Sequence, residues 1–218
     1  MAETMTMTEP PKARDASRVA IEDDAPPLVR LIGRILRDAD RLGHARDELN
    51  RTAGTVVIRS HDTPQSATIT FGSATVGVCS GVHVAPDATL VVDLHARFSL
   101  VEEPTGDAAL AADVLSALQP PLPNWRDAAA RFWEMTRGIP CIPDVLIVTV
   151  DREDGAEQAR FGEGTTEYLI AGPENVLAGV FSGADDFLES LAAGMRIRGT
   201  LSQMSVLTAA SWKVRFDV

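Results

Sequence analysis

Two apolar runs of the same character recur ninety residues apart, Val56-Val57-Ile58 and Leu146-Ile147-Val148, and at that offset Phe71-Gly72 falls on Phe161-Gly162 without a gap. A repeat of this length has the size of a small domain, so it restricts the chain to two tandem copies of one fold and excludes a solenoid of short units. With small insertions and deletions the match continues: Gly81 near Gly172, Leu90-Val91-Val92 near Val176-Leu177, and Gly106-Asp107 near Gly199-Thr200. The 218 residues allow two copies of about 100 residues, near the lower limit for a self-sufficient core.

Local patterns supply the boundaries. Residues 1–26 are polar, carry Glu22-Asp23-Asp24 and end on Pro26-Pro27, which reads as a disordered tail. Leu28, Leu31, Ile32, Ile35, Leu36, Ala39 and Leu42 then form one helical stripe, and Arg30, Arg34, Arg37, Asp38 and Arg41 form an opposite face expected to be solvated. Strand patterns follow at 55–59, 67–71, 75–79 and 88–94, with an extended stretch at 97–102. Asp107 is the expected N-cap of a helix ending before Gln119-Pro120-Pro121-Leu122-Pro123. The expected organisation is a first domain at 27–119, a linker at 120–123 and a second domain at 124–218.

In the second domain Asn124 caps a helix whose buried stripe is Ala129, Phe132, Trp133 and Thr136, and strands are expected at 145–150, 158–161, 167–171 and 176–181. A short helix at 185–193 has no room in the first copy. It precedes a strand at 195–198 and a last helix at 201–213.

The net charge of −11 and pI of about 4.8 argue against nucleic acid and anionic membrane partners. Only 5% of residues are aromatic against 45% hydrophobic, so the cores rest on aliphatic side chains. Cys79 and Cys141 match no metal-ligand spacing; they read as buried free thiols, with an interdomain disulfide as the alternative. His44, His61, His83 and His95 lack ligand spacing, and Ser60, Ser80 and Ser182 lie outside any nucleophile motif. Gly162-Glu163-Gly164 reads as a hairpin turn, since no helix follows to hold a phosphate. Glu102-Glu103 and Asp185-Asp186 read as solvated faces and a helix cap. No catalytic residue, metal or cofactor is expected. No segment has a signal-peptide pattern or the length of a membrane span, so a cytoplasmic protein is expected.

The words Ala184-Asp185-Asp186-Phe187-Leu188 and Ala193-Gly194-Met195-Arg196-Ile197-Arg198-Gly199-Thr200, followed by an amphipathic helix, resemble the sterol carrier protein type-2 lipid-binding domain. The likeness covers most of 124–218 and, more weakly, 28–119, where Thr105-Gly106-Asp107 keeps its last part. It implies an α+β fold of two tandem sterol-carrier-like domains, each a mostly antiparallel sheet covered by helices around an apolar cavity. The implied function is non-catalytic binding or carriage of a fatty-acyl or sterol-like molecule in the second domain, with a degenerate first copy. The expected cavity walls are Phe132, Trp133, Phe161, Phe187, Leu188, Leu191, Met195, Met204, Leu207 and Trp212. The alternative is an interaction or regulatory module without an open cavity, which leaves a homodimer or a protein partner open.

Overall fold

The computed structural model describes residues 18–72, 75–152 and 155–216; the rest of the expected tail, 1–17, lies outside the described residues. Its elements follow in chain order. The first half holds β1 (Val19–Ile21), α1 (Pro27–Leu42), α2 (Arg46–Arg51), β2 (Gly54–Ser60), β3 (Ser66–Phe71), β4 (Val76–Ser80), β5 (Ala88–Asp93), β6 (Ser99–Leu100), β7 (Thr105–Gly106) and α3 (Ala108–Leu118). The second holds α4 (Trp125–Thr136), β8 (Val145–Arg152), β9 (Gly155–Gly162), β10 (Glu167–Pro173), α5 (Glu174–Ser182), α6 (Glu189–Ala192), β11 (Arg196–Arg198) and α7 (Leu201–Phe216).

Helix boundaries follow their caps. Pro27 opens α1 at a position whose N–H needs no partner, and Gly43, left-handed at φ 69°, closes it. Asp107 and Asn124 cap α3 and α4 by accepting from N–H groups of the first turn, as their sequences predict.

The fold is mixed α and β, with two sheets. The first has the order β1-β4-β3-β2-β5-β6, with β7 also on β5; the second has the order β11-β10-β8-β9. Both share one arrangement. A hairpin (β2-β3 or β8-β9) receives a parallel third strand on its first member (β5 or β10), and that strand pairs antiparallel with a later one. Most pairings are antiparallel. Each sheet carries its own apolar cluster: Val56, Ile58, Ile69 and Leu90 pack under α1 and α3, while Leu146, Val148, Ile170 and Phe132 pack among α4, α5 and α7.

Among the differences from the sequence reading, four shape the two sheets. Residues 19–21 of the expected tail form β1, parallel to β4, because Val19 finds a buried place beside Val76. The run at 176–181 is helix α5, not a strand: Pro173 and Glu174 start it, Gly183 at φ 75° stops it, and Val176, Leu177, Val180 and Phe181 have helical spacing. The strand parallel to the hairpin is therefore β10. The hairpin registers also differ by two residues: Val56 faces Ile69, whereas Leu146 faces Phe161, so Phe161 takes the place of Ile69 and not of Phe71.

The fourth is the turn after β9. Gly162-Glu163-Gly164 does not form a hairpin but leads across the start of β8, because β10 lies on the far side of β8 from β9. The crossing is tight. A Cβ on Gly162, at φ 88°, would stand 2.2 Å from the Asp144 carbonyl oxygen, and one on Gly164 would stand 2.3 Å from the Asp144 Cβ. Asp144 holds the crossing by accepting from the Thr165 and Thr166 N–H groups, and the Thr166 hydroxyl, followed by these two N–H groups, keeps its carboxyl below the ordinary range.

Tyr168, the chain's single tyrosine, lies in β10 beside Leu146, is 1% exposed, and has a hydroxyl without a hydrogen-bond partner among the described residues. Burial pushes its phenol up to about 12. The fold therefore favours the neutral form. Stability from this group is fully present below the unfolded value of about 10 and is lost as pH rises toward about 12. In an alkaline titration the tyrosinate absorbance should appear well above pH 10 or together with unfolding, and Tyr168→Phe should remove that part of the alkaline loss. Ionisation near the free-tyrosine value in a folded protein would contradict the burial.

Candidate functional site

Part of the arginine face of α1, expected to be solvated, lies instead between the two halves, with Arg34 at its centre. Arg34 is 8% exposed and uses its whole fork. Its Nε donates to the Arg215 carbonyl (3.0 Å), Nη1 to Asp38 Oδ2 (2.8 Å) and the Ser182 carbonyl (3.0 Å), and Nη2 to the Gly183 carbonyl (3.0 Å). A side chain of the first half thus satisfies the end of α5 and the last turn of α7, where the helix dipoles favour a cation. Burial lowers its pKa to about 10, with Asp38 opposing the shift.

Arg215 repeats the device from the other side. It donates to the carbonyls of Gly183 (3.0 Å), Ala184 (2.7 Å) and Leu94 (3.3 Å), the last in the first half, and burial lowers its pKa also. A third link is the two-pronged pair of Arg97 with Asp185. Arg97 and Phe98 both have positive φ, 50° and 60°, a conformation costly for residues with a Cβ. Burial of Phe98, 1% exposed, and the Arg97 ion pair offset that strain.

These links leave a cleft of about 750 Å3 between the halves. One wall is the face of α1 that carries Arg34, Ile35, Asp38, Arg41 and Leu42; the other is Asp127, Ala128, Arg131 and Met135 of α4. The segment from Leu118 to Pro123, which the sequence presents as a plain linker, forms an edge. Phe98, Phe181 and Val214 close the interior. The polar lining is five arginines (34, 37, 41, 97 and 131), two aspartates, Gln119 and Ser182, whose hydroxyl donates to the Gly179 carbonyl.

Asp38 is the hub of this charge. Its Oδ2 accepts from Arg34, while Oδ1 has Arg41 Nη2 at 2.7 Å, outside hydrogen-bond alignment, and Arg131 Nη1 at 3.8 Å. Three guanidiniums share one carboxylate.

The ten residues expected to wall a cavity lie elsewhere. Phe132, Phe187, Met195 and Leu207 are buried in the second cluster, and Trp133, Phe161, Leu191 and Met204 pack on it in part. Leu188 and Trp212 are 46% and 49% exposed. None of the ten lines the cleft. Phe132 comes nearest in arrangement: its ring meets that of Phe181 edge to face at 5.2 Å, one layer behind the cleft wall.

A second, more open hollow of about 470 Å3 lies beside Arg97, with Asp93, His95, Asp185, Asp186 and Glu189 around it. Asp186 accepts from the Leu188 and Glu189 N–H groups in the turn that leads into α6, whose N-cap position is Leu188. Among the described residues no group of three or more His, Cys, Asp or Glu side chains is placed to hold a metal ion, and no helix is long and apolar enough to cross a membrane. Both cysteines are free; Cys141 is exposed at a left-handed turn (φ 68°), contrary to the expected buried thiol. No family model matches the chain, and neither the curated proteins nor the solved structures give a match.

Proposed function

We propose that the protein binds a hydrophobic small molecule of fatty-acyl or similar apolar character, without chemistry on it, and that the seat is the cleft between the two halves. The observation that carries this reading is the cleft itself: about 750 Å3, inside the range of small-molecule sites, with apolar walls from Ile35, Leu42, Phe98, Leu118 and Met135. Leu42 is 58% exposed there, so a ligand would cover apolar surface that water now meets. Ten buried methylenes would contribute about 8 kcal/mol before the costs of association.

The resemblance of 124–218 to the sterol carrier type-2 domain supports the same class of ligand. On this reading 27–119 and 124–218 are two sterol-carrier-like domains on the 120–123 linker, in a cytoplasmic carrier, and of the expected wall residues only Phe132 stands directly behind the cleft, through Phe181. A protein partner is the second reading, favoured by the outer face of α7, where Leu201 is 80% and Trp212 49% exposed.

Titration with a fluorescent long-chain fatty acid tests the proposal. Met135→Trp, which fills the cleft from α4, should weaken binding about tenfold or more, and Leu191→Trp in the second cluster should leave it unchanged. Loss confined to Leu191→Trp, or no binding by the wild type, would overturn it.

A further inference from the structure

We infer that the cleft selects amphiphiles with an anionic headgroup, which sits on Arg41 and Arg131; this rests on the cleft being the ligand site. The net charge of the chain is −11, yet five arginines and two aspartates line the cleft, so it is a positive site on an acidic molecule. Two of the arginines are committed to the fold: Arg34 by its full fork, and Arg37 by bonds to the Val19 carbonyl at 3.1 and 3.3 Å. Arg97 holds Asp185.

Arg41 and Arg131 remain. Their side chains are 54% and 56% exposed, and both turn toward Asp38, whose own side chain is 16% exposed. Asp38 cannot serve both well. Its Oδ2 is fixed by Arg34, and Arg131 stands 3.8 Å from Oδ1, beyond hydrogen-bonding distance. A carboxylate or phosphate between the two guanidiniums would take paired N–H donors from each, the geometry in which arginine recognises such groups best. Leu42 adjoins Arg41 and Met135 lies one helical turn beyond Arg131, so a headgroup placed there leads its chain onto apolar wall. A neutral headgroup would leave the surplus charge uncompensated.

The test compares a saturated carboxylic acid, the alkyl phosphate and the alcohol of one chain length, with inorganic phosphate as the headgroup alone, on wild type, the Arg41→Gln/Arg131→Gln double variant and Met135→Trp. Wild type should bind acid and alkyl phosphate at least about tenfold more tightly than the alcohol, with an affinity that falls as salt rises. The double variant should bind acid and alcohol alike, the alcohol as in wild type, with unchanged thermal melting. Equal binding of acid and alcohol by wild type, with Met135→Trp abolishing both, would overturn the headgroup assignment and leave the cleft as the site. Inorganic phosphate binding as tightly as the alkyl phosphate would overturn the amphiphile. Acid affinity undiminished in the double variant would remove the two arginines from the site. No binding of any chain, or none that Met135→Trp weakens, would overturn the cleft reading itself.

Discussion

Arg34→Met should destabilise the protein by about 3–5 kcal/mol, the cost of breaking a buried charge network by removing one partner. The substitution keeps the aliphatic bulk but leaves the Ser182 and Arg215 carbonyls without Arg34, and Asp38 without its closest-aligned cation. The Gly183 carbonyl keeps Arg215. The loss is a large share of an ordinary domain's 5–15 kcal/mol. It also has a signature beyond its size. Trp125, Trp133 and Trp212 all belong to the second half, so tryptophan fluorescence reports that half alone. In urea, wild-type unfolding followed by fluorescence and by far-ultraviolet circular dichroism should coincide; in Arg34→Met the two curves should separate, because the halves lose their main polar link. Arg34→Lys should not rescue, since an ammonium group cannot reach several carbonyls and a carboxylate as a planar fork does. A melting temperature within a degree or two of wild type would mean that the network contributes little to stability.

The second large effect is expected at Phe132, which is fully buried between α4 and α5 and meets Phe181 edge to face. Phe132→Ala should cost about 3–5 kcal/mol, combining lost transfer free energy with the void left behind and about 1 kcal/mol from the ring pair. Had Phe132 lined an open lipid cavity, the same change would enlarge a space already present and cost much less. Leu201→Ala, at an 80% exposed position, should stay within about 0.5 kcal/mol of wild type and serves as the control for helix α7.

Much of the fold was legible because it depends on short-range chemistry. Asp107, Asn124 and the Pro26-Pro27 boundary act within a turn of their own positions, and Ile69 and Phe71 of β3 are buried as their alternation predicts, although Thr68, expected outward, is buried too, its hydroxyl donating to the Gly81 carbonyl. Helix α5 was also within reach: Pro173, Glu174 and Gly183 are start and stop signals, and the apolar residues between them have helical rather than alternating spacing. Alignment with Leu90-Val91-Val92 hid it, since a short apolar run fits either state. The order of β10 beyond β8 was less accessible, because which side of a hairpin a third strand joins is settled by packing between distant segments.

The site was the least legible part. An arginine row opposite an apolar stripe ordinarily faces water, and nothing near Arg34 in the sequence shows that the Ser182 and Gly183 carbonyls arrive from a hundred and fifty residues away. The one available sign was excess: Arg30, Arg34, Arg37 and Arg41 with Asp38 on one helix of an acidic chain. The linker was legible as a linker, but its place along the cleft follows from how the halves meet.

The central claim is that the ligand lies between the halves, and cross-linking with a photoactivatable long-chain fatty acid tests it most directly. After irradiation and proteolysis, mass spectrometry should find adducts on the α1 face near Leu42, on 118–123 and on α4 near Met135, all suppressed by unlabelled fatty acid. Adducts concentrated on Leu191 or Met204 with those three regions unlabelled would place the ligand in the second core, and saturable labelling nowhere would contradict lipid binding altogether.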